Sequence, residues 1–482
     1  MSVVFRIFYF QIILCCSLAH QIALAGSTTL SINEAILLAV RSNPNVQSSE
    51  LSHVSQKFNL WVQEWQFLPH YNLQAIAASN RSQTLNQRIN GSQTYNVQPS
   101  VNLLTPIGTQ LTLGVNNNYT DHYNPGLSFQ IMQPLMRGFG TAIVESALCN
   151  AKDSEVISRL SVEGTLRSTV SSVIEAYLNV VSAERTVLID NEAVKRAETS
   201  VEQTKLFIKA GHKAGNELVT VQADVASAKM QLENDRNSLL QARYGLLSAI
   251  GVDPNSDITF SSLDLNALIK KYHPVSLTDA KKLVLENDIQ YQVDQITLYG
   301  PTTRSLLVAE DNARWQLNAT ANVVTGNSRG GGYNAGVNSI FNGANQSQNV
   351  GITLQVPIYD QQAKQAIVNA KISLKQAELG LKQEKWNKET GAINGWNLVG
   401  SALRALNYAE DAEKLQQKTY SISYQKYLHG LIDSLSLQQA QLQLIQSQQS
   451  LLSARIVYLK SLVNLDLLIG HTLNTWNVQV RL

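Results

Sequence analysis

Cysteine is almost missing from this chain: of 482 residues only Cys15, Cys16 and Cys149 carry a thiol. The first two lie in an apolar leader, so Cys149 stands alone beyond it and no intrachain disulfide is expected. Proline is absent from Leu135 to Asp253 and from Ile358 to Leu482, which leaves two long blocks without the residue that breaks helices. Excess charge is missing as well. Lysine and arginine nearly balance aspartate and glutamate, and a formal charge of +2 gives no reason to expect nucleic acid. Beyond the leader there is no uninterrupted apolar run near 20 residues; even Leu451 to Ile469 is broken by Arg455, Lys460 and Asp466. A membrane helix is therefore not expected. The histidines beyond the leader (His53, His70, His122, His212, His273, His429 and His471) show no metal spacing, so no metal and no cofactor are expected.

The leader has its own logic. Arg6 gives a weak positive start, Ile7 to Leu18 is apolar, and Ala23-Leu24-Ala25 is a small-x-small cleavage signal. Residues 1–25 are read as a secretory signal peptide, with the mature chain beginning near Gly26. Leu14-Cys15 before Cys16 lacks the small residues of a lipidated-cysteine site, so no lipid anchor is expected. An exported chain without a membrane helix is either soluble or enters a membrane as strands.

What the proline-free blocks contain is a heptad. Val173, Val180, Val187, Val194 and Val201 recur every seventh residue, with Ile208 completing the series. Such a period keeps one seam of a helix facing a neighbour along its whole length. Ile174, Val181 and Leu188 widen the seam, while Glu192, Lys195, Arg196, Glu198 and Glu202 are expected on the wet side. Gly211 and Gly215, flanking His212, Lys213 and Ala214, read as a helix-ending turn. About 70 helical residues before that turn would make a rod on the order of 100 Å long.

Strand sequence comes from a different pattern. Tyr71, Leu73, Ala75 and Ala77 alternate with Asn72, Gln74 and Ile76, and Leu111, Leu113 and Val115 alternate with Thr112, Gly114 and Asn116. Between Tyr71 and Pro134 the only formal charges are Arg81, Arg88 and Asp121. A polar face of Asn, Gln and Thr with so little charge suits strands that have lipid on one side and a water-filled lumen on the other. Trp61, Trp65 and Phe67, just before Pro69, suit a membrane interface.

The chain then repeats itself. Ser31-Ile32-Asn33-Glu34-Ala35, a capping box opening a helix, matches Ser276-Leu277-Thr278-Asp279-Ala280. Tyr71 to Ala77 matches Trp315 to Ala321, and Leu127 to Leu135 matches Val350 to Ile358. A second long helix is expected from about Gln361 to Leu428, turning at His429-Gly430-Leu431-Ile432-Asp433. It returns with Leu435, Leu442, Ile456 and Val463 on the heptad, and Ile445, Leu452 and Leu459 beside them. Each half thus reads helix, helix, strands, long helix, turn, returning helix. The expected organisation is a first repeat over 26–251 (strands 71–134, long hairpin 138–250), a linker over 252–273, a second repeat over 274–469 (strands 315–357, long hairpin 361–468) and a C-terminal segment over 470–482. The linker and the last segment are each expected to carry a short strand, Ile258-Thr259-Phe260 and Trp476 to Leu482, in a belt around the helices. The first half has about 20 more residues of strand region than the second, and an extra extracellular hairpin within Thr94 to Tyr119 would account for them. The fold class is mainly α with a β-barrel portion: two or three strands per half cannot close a barrel alone, so copies of the chain must join.

The duplicated order, with Ser31 to Asn45 and its Asn43-Pro44, Phe67-Leu68-Pro69, Gln133-Pro134-Leu135, Arg137-Gly138-Phe139-Gly140 and the turns at Gly211 and Gly430, resembles the TolC-type outer-membrane efflux proteins over nearly the whole mature chain. The resemblance implies a homotrimer with a β-barrel in outer-membrane lipid and a helical tunnel across the periplasm. It implies a passive exit duct for efflux or type I secretion, docked on a periplasmic adaptor protein and an inner-membrane pump of RND, ABC or MFS type. It places the periplasmic tip, with its aperture and adaptor contact, at Gly211, His212, Gly215, Glu217, His429, Gly430, Asp433, Ser436 and Gln439. The best-known members carry two aspartates at the positions of Ser436 and Gln439, forming acidic rings inside the trimer. This chain departs there, and Asp433 and Glu217 are the candidate substitutes.

Catalysis finds little support. Gly326-Asn327-Ser328-Arg329-Gly330 matches the G-x-S-x-G pattern, but Gly331-Gly332-Tyr333-Asn334-Ala335-Gly336 continues as loop where the chemistry needs a strand-to-helix turn. Gly138-Phe139-Gly140 is no dinucleotide fingerprint, since Ile143 stands where the third glycine belongs. The rival to an exit duct is a trimeric coiled-coil surface stalk or adhesin with a barrel anchor, against which the two interleaved strand blocks argue.

Overall fold

The computed structural model of the chain describes residues 28–82, 90–119, 123–272, 274–326, 338, 340 and 346–478. The expected leader at 1–25, His122, His273, Ser328 and residues 479–482 lie outside them. The first repeat runs β1 (Thr28–Leu30), α1 (Ile32–Ser42), α2 (Pro44–Trp65), β2 (His70–Ser82), β3 (Asn90–Leu104), β4 (Gln110–Tyr119), β5 (Tyr123–Pro134), α3 (Thr141–Val144), α4 (Ser146–Lys209) and α5 (Glu217–Ile250). The connection holds β6 (Ile258–Phe260) and α6 (Leu265–Lys271). The second repeat runs α7 (Leu277–Asn287), α8 (Ile289–Thr297), a π turn over Leu298–Thr302 around Pro301, α9 (Thr303–Asn312), β7 (Gln316–Gly326), β8 (Gln346–Gln355), α10 (Gln361–Leu428) and α11 (Ser434–Leu468), followed by α12 (Thr472–Thr475).

Two compact units result, each drawing on both repeats. One comprises residues 1–49, 162–288 and 387–482, and the other 50–161 and 289–386. The first is helical with a small parallel sheet, β1 against β6. Its helices start where the sequence caps them. The Ser31 amide donates to Glu34 Oε2 at 2.8 Å while the Glu34 amide donates to Ser31 Oγ at 3.4 Å. Ser276 repeats the cap on α7. Val173, Val180, Val194 and Val201 are buried on α4, and Val173 and Val180 pack with Ile174, Tyr177, Val181, Ile36, Ile250, Ile456 and Leu459 into one core.

Several expectations need correction. Leu188, expected on the seam, is exposed, whereas Arg196, expected on the wet side, is half-buried. Leu435 and Leu442 are exposed too, and the inward positions of α11 near its start are Leu437, Ala440 and Leu444. A heptad draws two adjacent stripes on a helix, and only the position of the neighbour decides which one is covered. The C-terminal segment is no strand as far as it is described, because Thr472–Thr475 is helical and Trp476 to Val478 is irregular. The long hairpin begins at Thr141, not at residue 138, because Arg137-Gly138-Phe139-Gly140 is a turn with Gly138 and Gly140 at φ +80° and +98°.

The other unit carries a six-stranded antiparallel sheet in the order β2-β3-β4-β5-β7-β8. The first repeat supplies four of these strands, more than the two or three expected, and the second supplies two. Thr94 to Tyr119 does fold as a hairpin, but its turn, Thr105 to Thr109, is pinned to the strand-to-helix junction. Gly140 donates to the Ile107 carbonyl at 3.2 Å, and Gly108, at φ +96°, leaves room for only 2.6 Å between an added Cβ and the Gly138 carbonyl. The turn therefore lies at the helical end of the sheet, opposite the expected extracellular side. At the same junction the Gly138 amide donates to Asp311 Oδ2 at 2.7 Å, and Asp311, nearly fully buried, also meets Arg314.

Candidate functional site: hairpin tips and an amphipathic sheet

Both long hairpins turn by the same backbone device. After α4, the Gly211 amide donates to Ile208 O at 3.0 Å and the His212 amide to Phe207 O at 2.9 Å. After α10, Gly430 donates to Tyr427 O at 3.0 Å and Leu431 to Lys426 O at 2.9 Å. This pair of bonds closes a helix on a left-handed residue, and the glycines sit at φ +74° and +70°.

Side chains then tie the two turns together. Lys213 Nζ lies 2.8 Å from Glu217 Oε2 and 4.2 Å from the centre of the Tyr427 ring. Glu217, the first residue of α5, also accepts a 2.8 Å bond from Ser434 Oγ, the first residue of α11. The Lys213 bond first, and Ser434 after it, holds the Glu217 carboxyl below its ordinary range. Tyr427 is buried, shares a 2.8 Å hydrogen bond with Thr204 Oγ1, and meets Phe207 edge-on. Asp433 caps α11, accepting from the Ser436 amide at 2.9 Å, and its carboxyl is lowered by that contact with Ser436. His212, Gly215, His429, Ser436 and Gln439 are exposed. The structure thus gathers the two turns by way of Glu217, while neither candidate acid stands free: Glu217 is paired and Asp433 is a helix cap.

Above the tips lies a polar groove that the sequence pattern does not announce, between α4, α5 and α11 and lined by Asp190, Asp224, Gln438, Gln441 and Gln449. Asp190 is buried and one of its oxygens has no hydrogen-bond partner. Burial first, and Asp235 beside it, push its pKa up to about 7. Burial likewise raises Asp224, which accepts from Gln438. The signal for these residues is weak in sequence: Asp190 and Glu192 both fall between the apolar Ile189 and Ala193, and nothing local marks Asp190 as the buried one.

The second element is the sheet. Its register aligns Tyr71, Val101, Leu113, Phe129 and Val323 in one row across five strands, and His70, Asn102, Thr112, Gln130, Asn322 and Asn349 in the next row on the opposite face. Polar partners meet along the second row, as where Thr112 Oγ1 donates to Asn102 Oδ1 at 2.9 Å. On the apolar face Tyr71, Leu73, Val350 and Ile352 are 72% exposed or more. Among the described residues no helix is long and apolar enough to cross a membrane. The sheet has the faces that a wall between hydrocarbon and water needs.

Residues 35–252 and 311–471 match the family described as outer membrane efflux protein. Among solved structures, the outer-membrane channel OprN superposes with a TM-score of 0.71 at 12% identity, over 91% of this chain and 90% of that one. The outer membrane protein VceC of Vibrio cholerae gives 0.69 at 12% identity, over 91% of this chain and 96% of that one. The open state of the outer-membrane channel MtrE of Neisseria gonorrhoeae gives 0.69 at 16% identity, over 92% and 89%. At such identities the likeness is one of fold. No individual curated protein matches the sequence.

Proposed function

The chain belongs to the outer membrane efflux protein family, and from that premise we propose that it works as a homotrimer whose hairpin tips form the periplasmic aperture and the contact with an adaptor protein. The family is one of exit ducts of efflux pumps, seated in the outer membrane of Gram-negative bacteria and reaching into the periplasm. The protein is passive in this reading. It catalyses nothing and takes its driving force from an inner-membrane pump of RND, ABC or MFS type, which also selects the cargo. The observation that carries the assembly is the sheet: one apolar and one polar face, with an open edge at β2 and another at β8. Hydrocarbon offers no hydrogen bonds to such edges, so copies of the chain must supply them.

At the tips, Gly211, His212, Gly215, Glu217, His429, Gly430, Asp433, Ser436 and Gln439 are the residues assigned to aperture and adaptor. The Lys213–Glu217–Ser434 bridge holds the two turns of one copy together, and the exposed His212, His429, Ser436 and Gln439 are left for contacts outside the chain. Ser436 and Gln439 are uncharged, so closure here rests on hydrogen bonds more than on a ring of carboxylates. Photo-crosslinkers at His212 and Gln439 in cells should trap a periplasmic adaptor, and the purified protein should form trimer-dependent channels in planar bilayers. A surface stalk would give neither.

A further inference from the structure

We propose that the hairpin β3–β4 is built into the membrane wall, so that three copies close a barrel of eighteen strands with a mouth on the order of 35 Å across between backbones. This rests on the trimer proposed above. The duplication alone would give each copy two strands per repeat, β2 and β5 against β7 and β8. Among the described residues Asn90 to Tyr119 has no counterpart in the second repeat, yet it continues the sheet in one register, the β3–β4 ladder skipping only Gln98 and Pro99. β3 pairs along β2 from Asn90 to Asn102, and β4 pairs along β5 from Gln110 to Tyr119. The apolar and polar rows run through the inserted strands in register, Val101 and Leu113 in one and Asn102 and Thr112 in the other. A hairpin lying outside the barrel or folded into its lumen would have no reason to keep both rows. Its turn is held by the Gly140-to-Ile107 bond and by Thr109 Oγ1 against Gln133.

The edges show how copies join. Six antiparallel strands per copy bring β8 of one copy alongside β2 of the next in opposite directions, so every junction in the ring stays antiparallel. The repeat also supplies the register. Within the chain, β5 meets β7 with Ile131 opposite Ala321. In the repeat Ile131 corresponds to Leu354 and Ala321 to Ala77, so Leu354 should face Ala77 of the partner subunit. The parity of that pairing is right: it sets Leu354 and Val356 against Ala77 and Ala75, apolar against apolar, whereas a slip of one residue would set them against the polar face. With strands about 4.8 Å apart and tilted about 40°, eighteen of them enclose roughly 35 Å, and twelve would enclose roughly 24 Å. Barrels of about 16 to 18 strands keep an aqueous channel.

The test is electron cryo-microscopy of the full-length protein in lipid nanodiscs, beside a variant lacking Asn90 to Tyr119. That deletion leaves β2 and β5 as antiparallel neighbours. The expected result is a threefold barrel of eighteen strands that falls to twelve in the variant, with the mouth narrowing by about a third. In a Cys149→Ser background, Ala77→Cys with Leu354→Cys should oxidise to a covalent trimer, and Ala78→Cys with Leu354→Cys should not. A threefold particle of twelve strands with β3–β4 outside the wall, or equal mouths in both proteins, would overturn this inference alone. A particle without threefold symmetry would overturn the trimer, and the inference with it. If the variant does not fold, the strand count of the unaltered protein still decides.

Discussion

Ser434 Oγ donates a 2.8 Å hydrogen bond to Glu217 Oε2, joining the first residue of one returning helix to the first residue of the other. The same carboxylate pairs with Lys213, itself seated over the Tyr427 ring, so one acid fastens two turns that lie 217 residues apart in sequence. Glu217→Gln should loosen the tip. With the carboxylate partly exposed, a charge-assisted bond there is worth about 1 kcal/mol, or about a fivefold rise in the open fraction of channels in planar bilayers. Ser434→Ala should act in the same direction but more weakly, and the pair should be less than additive because both changes remove the same contact. Acid should mimic the effect. The Glu217 carboxyl is lowered, so its contribution is full above the ordinary carboxylate pKa and is lost as pH falls through the lowered value. Opening in Glu217→Gln no greater than in the unaltered protein at pH 7, or opening of the unaltered protein that does not rise as pH falls through the lowered value, would refute the bridge as a latch.

Asp190 predicts the opposite pH sign. Its pKa is raised from 3.8 to about 7 by burial and by Asp235. The folded protein therefore prefers the protonated acid, and stability is lost as pH rises from about 4 to about 7, with no further change above. Asp190→Asn keeps the shape without the charge. It should raise stability by about 2 kcal/mol at pH 8 and leave it nearly unchanged at pH 4. Thermal melts of the helical signal in detergent at the two pH values would check this, and a variant that melts in parallel with the unaltered protein at both would contradict it.

The difference between those two sites explains what could be read from sequence. The tips were legible because a left-handed helix end selects glycine, and Gly211 and Gly430 each follow a heptad. Lys213 and Glu217 are four residues apart and could be paired on paper, but nothing local points from Glu217 to Ser434. The strands were legible by alternation, although their number in the first repeat was not, since Thr105 to Thr109 carries one Pro and one Gly and reads equally well as a loop. Tyr177, Asp190 and Thr204 are polar groups set into an apolar seam. Their meaning lies in what faces them from helices and strands far along the chain. Leu435 and Leu442 kept the period but took the uncovered stripe, because a heptad fixes spacing and not which neighbour arrives.

Tyr177 gives a prediction for the connection between the repeats. Fully buried on α4, it donates to the Ser261 carbonyl at 2.7 Å, lies 3.2 Å from the Leu30 carbonyl, and stacks edge-on against Phe260. It thereby anchors both strands of the parallel pair β1–β6. Tyr177→Phe retains the ring and leaves the carbonyls without that donor, which should cost about 1 to 2 kcal/mol. The loss should be local: limited proteolysis between residues 252 and 264 should speed up about tenfold while the tips are unaffected. Equal cleavage rates would show that the hydroxyl contributes nothing.

The two repeats build one junction twice, and its glycines allow a ranked test. Asn43 Nδ2 donates to Ala249 O at 2.8 Å where α5 ends, and Asn287 Nδ2 donates to Ile469 O at 3.1 Å where α11 ends. Beside each bond sits a glycine in the left-handed region, Gly251 at φ +85° and Gly470 at φ +74°. A Cβ on Gly251 would lie 2.7 Å from Asn43 Cα and 2.9 Å from the Ser42 carbonyl, which are backbone atoms unable to give way. On Gly470 it would meet Asn287 Cβ and Arg167 Nη1, both at 2.6 Å; the guanidinium can swing aside, which leaves one fixed clash, at Asn287 Cβ, where Gly251 has two. On Gly430 it would meet nothing within 4 Å, leaving only the strain of the left-handed backbone. Alanine at 430 should therefore cost about 1 kcal/mol, at 470 about 2 and at 251 about 3 or more. Melting temperatures of Gly430→Ala, Gly470→Ala and Gly251→Ala in detergent should fall in that order. If Gly430→Ala proved the most damaging, close packing of the α1–α2 bend against the end of α5 would not be what Gly251 is there to permit.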